Sequence, residues 1–163
     1  MMNANAGERD LHAACEKGDI QLCISLLNRG VNVNARDSNH ATPLIRAVIC
    51  NHVDVVNVIM HMRVEVQCSV YSFDKQGFSA FHWAVMLGLV DVVSVMTCMD
   101  KSLLTRPDET GRTPLFLCSV LRPNSHVCIC ESYMSGVITR IVYVIRGHIL
   151  IYIYMKCGVS IVH

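Results

Sequence analysis

Apolar residues recur along the chain at helical spacing, in blocks separated by short polar segments. Four blocks each begin with a bulky apolar residue and have a small residue three positions later. The opening residues, which lie 33, 37 and 34 positions apart, are Leu11, Leu44, Phe81 and Leu115. In the first three blocks a second apolar stripe follows, near Ile20, Val53 and Val90. Self-similarity at such a period is typical of repeat architectures, so the pattern predicts stacked units of two helices each.

The residues that flank the first stripe of each block mark where a helix begins and ends. A hydroxyl stands before three of the blocks, at Thr42, Ser79 and Thr113, where its oxygen can accept a bond from a free amide of the first turn. Proline follows two of these hydroxyls, at the helical position that tolerates it best. Gly18 and Gly88 come after the stripe and can adopt the left-handed conformation that ends a helix. Local sequence and apolar period therefore predict the same helices.

At these positions the chain resembles the ankyrin-repeat family. The segments Thr42-Pro43-Leu44, Ser79 to Ala84 (Ser-Ala-Phe-His-Trp-Ala) and Thr113-Pro114-Leu115 are similar to the signature of that repeat, and Leu11 to Ala14 resembles the same motif in a first repeat. The resemblance covers about residues 7–121. It implies an all-α solenoid of stacked helix-turn-helix units with β-hairpin-like turns, comprising about three repeats and a partial fourth.

The repeat pattern also predicts how the chain is divided. We expect a short disordered start over 1–6 and an ankyrin-repeat array over 7–121. Within the array, unit 1 covers about 7–36, unit 2 about 37–73, unit 3 about 74–107, and a partial unit 4 covers 108–121. Residues 122–163 lack the repeat pattern, and we expect a hydrophobic, irregular and poorly structured tail there.

Two departures from the repeat pattern predict local irregularity. His40 stands at the turn position that Gly77 and Gly111 occupy in the following units, so we expect a strained or reshaped turn there. About four extra residues lie between positions 64 and 73, which predicts a longer loop with Tyr71 and Phe73 partly exposed.

The tail contains one segment that is long enough to cross a bilayer, from Val137 to Met155. Arg140, Arg146 and His148 would then lie in the hydrocarbon, where each arginine costs roughly 2.5–3.5 kcal/mol near the centre. We therefore expect no membrane span. Ile149 to Tyr154 has instead the composition of a strand, without charge or proline, as in aggregation-prone segments.

The repeat pattern ends abruptly within unit 4, where Arg122 to Ser125 interrupt it. This break suggests the hypothesis that the tail comes from an alternative or truncated reading of a longer gene.

Charge and cysteine content narrow the possible functions and compartments. The net charge is +1 and no basic stripe is visible, so the sequence does not indicate a surface that would bind phosphates. We therefore expect no nucleic-acid partner. The first twenty residues contain no apolar run, which predicts the absence of a secretory signal. In that context the nine cysteines are expected to be reduced thiols of a cytoplasmic or nuclear protein.

No residue pattern indicates catalysis. The chain has no glycine-rich phosphate loop, nucleophile elbow or paired carboxylates, and we expect no enzyme activity and no cofactor. His126, Cys128 and Cys130 could bind a metal, but zinc sites more often place two residues between their cysteines, so we expect no metal site. In the motif that the chain resembles, His12 and His82 are structural hydrogen-bonding residues.

The resemblance also indicates where a protein partner would bind. It places Trp83 and its repeat equivalents Arg46 and Leu117 on first helices, facing a concave groove beside the turn tips. The turn positions that such proteins vary for target contact are Ser38, Asn39, Ala41, Lys75, Gln76, Phe78, Glu109, Thr110 and Arg112. Tryptophan is enriched at binding hot spots, although Trp83 could instead pack within the stack.

The leading hypothesis is a non-catalytic scaffold that binds a protein through its turn tips and concave groove, with no obligate oligomer implied. The alternative is a truncated or alternative isoform of a larger ankyrin-bearing enzyme or membrane protein, in which the array is the targeting module. A redox or metal protein that uses the cysteines is a third, disfavoured hypothesis.

Overall fold

A computed structural model describes residues 4–62, 68–114, 116–117, 139–145, 148–154 and 159–162. Six α-helices are α1 (Ala4–Lys17), α2 (Ile20–Asn28), α3 (Pro43–Ile49), α4 (Val53–His61), α5 (Ala80–Leu87) and α6 (Val90–Met99), and a 3-10 helix covers Lys101–Leu104. Within each unit the two helices pack together, and α1, α3 and α5 form one row while α2, α4 and α6 form the other. This arrangement confirms the predicted all-α repeat architecture.

Side chains cap the helices where the sequence predicts them. The Thr42 hydroxyl accepts from the Ile45 N–H, and Ser79 and His82 form a reciprocal capping box at the start of α5. Gly88 ends α5 at a φ of 71°. His40 takes a φ of 58°, so the predicted strained turn keeps the left-handed conformation of its glycine equivalents.

The core is the apolar seam between the two rows of helices. Leu11, Leu44 and Phe81 are fully buried, as are the small residues three positions after each of them. Small residues on one row allow the first helices of neighbouring units to approach closely, so that each unit buries its seam against the next. The seam predicted from the sequence is confirmed through unit 3. Leu115, its fourth member, lies outside the described residues.

The beginning of the chain differs from the expectation. We expected a disordered start over 1–6, but α1 already begins at Ala4. Once Leu11 and its neighbours are packed, each further helical residue adds a hydrogen bond without a new nucleation cost, so the helix extends backwards from its packed part. The longer loop before unit 3 agrees with its prediction where it is described, since Tyr71 and Phe73 are half-buried.

Part of the tail forms a small antiparallel sheet. Its strands are β1 (Thr139–Ile145), β2 (His148–Tyr154) and β3 (Val159–Val162), in the order β1-β2-β3. Over these segments the structure differs from the irregular, poorly structured tail that we expected. Their isoleucine, valine and tyrosine content favours strands, as Ile149 to Tyr154 indicated. The cysteines and histidine of the disfavoured metal motif, 126–130, lie outside the described residues.

Candidate protein-binding surface

The turns that open units 2, 3 and 4 each begin with an aspartate, which holds the backbone of the turn. Oδ1 of Asp37, Asp74 and Asp108 accepts hydrogen bonds from the backbone N–H groups two and four residues later, at 2.7 to 3.0 Å. One carboxylate oxygen thus satisfies two amides that the tight turn leaves without backbone partners. The sequence showed that these aspartates recur, but not that they hold the turn backbone.

The second oxygen of each aspartate accepts from a long side chain. Asp37 Oδ2 accepts from Arg46, and Asp74 Oδ2 accepts from the indole N–H of Trp83 at 2.6 Å. Both donors stand nine residues after their aspartate, on the first helix of the unit. In unit 4 that position is apolar, and the Nε of Arg112, from within the turn, donates to Asp108 at 2.7 Å instead.

For two of the aspartates, these contacts lower the pKa of the carboxyl group. Burial alone raises the pKa of Asp108, but hydrogen bonds from Arg112 and Thr110 outweigh burial and hold this pKa at about 2. Burial likewise acts to raise the pKa of Asp37, and the bonds from Arg46 and two backbone amides lower it on balance. The carboxylates of Asp37 and Asp108 are therefore charged acceptors at neutral pH.

The turns are also bonded to one another. The Lys75 N–H donates to the Asn39 carbonyl at 3.0 Å, and the Glu109 N–H donates to the Gly77 carbonyl at 3.1 Å. A Cβ built on Gly77 would lie 3.0 Å from the Glu109 Cβ, so only glycine allows this approach without a shift. The three tips therefore form one continuous edge.

An aromatic pair lies at the middle of this edge. The rings of Phe78 and Trp83 are half-buried and meet edge to face, with centroids 5.6 Å apart and planes inclined by 75°. The Arg112 guanidinium lies over the Phe78 ring, 5.1 Å from its centroid. The bond to Asp74 shows that Trp83 helps to hold its own turn, and its remaining exposed surface stands beside Phe78.

The predicted contact residues differ in how much of them reaches solvent. Those that are exposed are Ser38, Asn39, Lys75, Gln76, Glu109 and Thr110. Those that are half-buried are Arg46, Phe78, Trp83 and Arg112.

Ala41 and Leu117 do not offer a contact surface, and for them the prediction is corrected. They are 2% and 1% exposed. Ala41 precedes the helix cap and faces inward, while its carbonyl oxygen lies 3.1 Å from His12 Nε2. Leu117 occupies the position of Arg46 and Trp83, but has no polar group to reach the turn aspartate and is buried instead.

A groove lies between α1 and the first turn, and its α1 residues were not among those that the sequence indicated for partner contact. It has a volume of about 1100 Å³. Its lining residues are Glu8, Arg9, His12, Ala13, Glu16, Ala35, Arg36, Asp37, Ser38 and Arg46. Ala13 is the repeat equivalent of Arg46 and Trp83, so the repeat register could have placed α1 on this side. Glu16 reaches Arg46, with 3.4 Å between Oε1 and Nε.

The two motif histidines make structural contacts. The ring nitrogens of His12 lie 2.8 Å from the Glu8 carbonyl and 3.1 Å from the Ala41 carbonyl, and thus join unit 1 to unit 2. His82 Nδ1 is 2.7 Å from the Ser79 hydroxyl. Burial lowers the pKa of His82, so this ring is neutral in the folded protein at neutral pH.

The described parts of the chain hold neither a group of side chains suited to a metal ion nor a helix suited to a membrane span. They contain no cluster of three or more histidine, cysteine or acidic side chains suited to a metal ion. None of their helices combines the length and apolar character that a membrane span requires. The expectations of no metal and no cofactor stay predictions.

Comparisons with known proteins point to one family. A family model described as "Ankyrin repeats (many copies)" matches residues 11–59. Neurogenic locus notch homolog protein 1 of Xenopus tropicalis is 31% identical over 118 residues, which cover 69% of this chain and 4% of that protein. A putative ankyrin repeat protein of Rickettsia felis is 30% identical over 104 residues, which cover 64% of this chain and 25% of that protein.

Proposed function

Because this chain is an ankyrin-repeat protein, a family of protein-interaction modules that is generally non-catalytic, we propose that it is a non-catalytic scaffold for a protein partner. The partner binds along the three turn tips and in the groove between α1 and the first turn. The observation that carries this proposal is the continuous edge: exposed side chains project from turns that are bonded to one another.

The mechanism is presentation of a preorganised surface. Each turn backbone is held by a charged acceptor, and neighbouring tips share hydrogen bonds. Little backbone entropy is then lost on binding, which favours the affinity of the complex. No bond is made or broken, and specificity comes from the side chains on the tips.

Phe78 and Trp83 are the proposed anchor of the interface. Aromatic side chains dominate binding energy where they are central and become fully desolvated. The pair stands in the middle turn, with exposed polar residues of the flanking turns on either side. A partner that covers the edge would therefore bury the pair at the centre and leave Ser38 and Thr110 near the rim.

The test is affinity capture of partners from cell extract with the full chain and matched variants. Phe78→Ala and Lys75→Glu change the tips, whereas Gln21→Ala and Asn57→Ala change exposed positions on the second helices. We expect the tip variants to lose partners that the wild type and the helix variants retain. Circular dichroism checks that all four remain folded. Partners that tolerate both tip variants but not the helix variants would place the interface on the other row.

A second candidate is supported by the lengths of the relatives. The chain spans only 4% and 25% of the length of the two relatives named above. We propose, as the alternative, that the array is the targeting module of a larger enzyme or membrane protein. Peptide mapping of the endogenous protein tests it: array peptides in a species much larger than 18.2 kDa support the alternative, and peptides confined to that mass exclude it.

The compartment stays a proposal as well. We propose the cytoplasm or nucleus, supported by the five cysteines of the described residues, none of which is in a disulfide. Imaging of the tagged full chain tests this placement, and a signal in the secretory pathway would contradict it.

A further inference from the structure

Two thiols face each other between the helices of unit 1. Cys15 on α1 and Cys23 on α2 are both fully buried, and their sulfur atoms are 3.7 Å apart. A disulfide requires about 2.05 Å between the sulfurs, so a closure of less than 2 Å separates this dithiol from a bond. Neither residue belongs to the proposed binding surface.

The two thiols differ in reactivity. The hydrogen bond with Cys15 lowers the pKa of Cys23, while the same bond, together with burial, raises the pKa of Cys15. Burial and the nearby Asp19 carboxylate, at the start of α2, act to raise the pKa of Cys23. Within the proposed site Cys23 is assigned as the nucleophile, and Cys15, whose sulfur is 3.7 Å away, as the thiol positioned to resolve what it forms.

We propose that Cys15 and Cys23 form an oxidative modification site, at which a low-molecular-weight disulfide such as oxidised glutathione converts the dithiol to an intramolecular disulfide. In the first step Cys23 loses its proton, and the thiolate attacks one sulfur of oxidised glutathione. The S–S bond of the oxidant breaks, and one glutathione leaves and takes up a proton. A mixed disulfide remains on Cys23.

In the second step Cys15 loses its proton and attacks the Cys23 sulfur, and the second glutathione leaves as a thiol. The two protein thiols have then lost two electrons and two protons, and the oxidant has become two glutathione thiols. In a reducing compartment such a bond is transient, as is typical of redox-sensing disulfides.

Access to the buried pair requires a local opening of unit 1, because both thiols are fully buried. Packed helices separate transiently by local unfolding, at a lower free energy than global unfolding. A transient separation of α1 from α2 admits the oxidant, and reclosure brings the two sulfurs back together.

The modification acts on the groove through Glu16, the residue after Cys15. The Glu16 carboxylate contacts Arg46, and its carbonyl oxygen lies 2.9 Å from His52 Nε2. A disulfide that ties α1 to α2 prevents α1 from separating, and so keeps one wall of the groove in place. Hydrogen exchange at the amides of α1 is expected to slow in the oxidised chain.

Mapping of the cross-link tests the proposal on the full wild-type chain. The folded protein is incubated with oxidised glutathione, remaining thiols are blocked, and trypsin is added. Trypsin releases 10–17 and 18–29, which each contain one cysteine of the pair, and 64–75, which contains Cys68. We expect the linked pair 10–17 with 18–29 to be the dominant disulfide product. The same sample unfolded in urea should give mixed pairings.

Cys68→Ser is the matched control, because Cys68 is half-buried and near enough to affect the pKa of Cys15. The linked pair should persist in Cys68→Ser and be lost in Cys23→Ser. A dominant link to Cys68 would overturn the proposal. So would a folded chain in which Cys15 and Cys23 stay reduced while the exposed Cys50 and Cys98 are glutathionylated. The wild-type map decides the question even if a variant fails to fold.

Discussion

The turns that begin at Asp37 and Asp74 share one hydrogen-bond pattern but are closed by donors of different character. In unit 2 the donor is the guanidinium of Arg46, which also contacts Glu16. In unit 3 it is the indole N–H of Trp83, which packs against Phe78. The same turn geometry therefore presents a charged surface in one unit and an aromatic surface in the next. The aspartate holds the backbone, and the donor position accepts side chains of different character.

The largest expected effect comes from removing the acceptor in the more buried of these turns. Asp74→Ala leaves the amides of Gln76 and Phe78 and the indole of Trp83 without their partner, so we expect a loss of about 3 kcal/mol in the free energy of unfolding. Asp37→Ala should cost about half as much, because its turn is more exposed. Urea unfolding followed by circular dichroism measures both.

Asp91→Ala, at an exposed position on α6, is the control for these variants and should change the stability by less than about 0.5 kcal/mol. Equal losses of unfolding free energy in Asp37→Ala and Asp74→Ala would show that the cost of removing the aspartate does not depend on how buried its turn is.

Gly77→Ala should be the next most damaging change. The added Cβ would lie 3.0 Å from the Glu109 Cβ, and the alanine backbone would have to keep a φ of 81°. We therefore expect the free energy of unfolding to fall by about 2 kcal/mol. The reverse experiment in unit 2, His40→Gly, should not destabilise the array by more than about 0.5 kcal/mol, because relief of backbone strain offsets the added freedom of the unfolded chain. Thermal unfolding compares the two, and a tolerated Gly77→Ala would contradict the close approach of the tips.

Trp83→Phe separates the hydrogen bond from the aromatic ring. It removes the indole N–H and keeps an apolar ring beside Phe78, and we expect a loss of about 1.5 kcal/mol. In a double-mutant cycle with Asp74→Ala the two losses should be strongly non-additive. Additive losses would mean that the 2.6 Å contact contributes little to stability.

Unit 3 should also respond to mild acid through His82. Its pKa is lowered by burial, so between the folded and unfolded pKa values the unfolded chain binds more protons than the folded chain. The resulting stability is complete above the unfolded value of about 6.5 and is lost as the pH falls towards the folded value. We expect unfolding free energies measured from pH 7.5 to 5.5 to decrease, and His82→Gln to flatten that slope. An unchanged slope in His82→Gln would assign the effect to other histidines.

The smallest expected effect is the salt dependence of unit 2. The contacts of Arg46 with Asp37 and Glu16 are partly exposed, and such pairs contribute about 0–1 kcal/mol and weaken as salt is added. The cost of Arg46→Met should therefore be smaller at 0.5 M than at 0.05 M salt, because the Debye length is roughly threefold shorter at the higher concentration. The cost of Trp83→Phe should not change with salt. If the costs of Arg46→Met and Trp83→Phe changed equally with salt, the two donors would not differ in their electrostatic contribution.

Much of the array follows from local sequence. Thr42 and Ser79 cap their helices, and Leu11, Leu44 and Phe81 form the buried seam, because hydroxyl caps and a helical apolar period act over only a few residues. The exposure of most tip residues was also predictable from their turn positions, and their role in binding stays a prediction. What the pattern missed depends on neighbours distant in sequence, such as the burial of Ala41 and Leu117.

By itself, the sequence determined that paired helices repeat, where they begin, and which family they resemble, because these properties reside in short motifs and their spacing. Only the tertiary structure decided which residues of different helices and units come into contact. Stacking brings Glu109 onto Gly77, places α1 opposite Arg46, and sets Cys15 against Cys23. Those contacts depend on the angle and distance between packed helices, which many side chains determine together and which no single motif encodes.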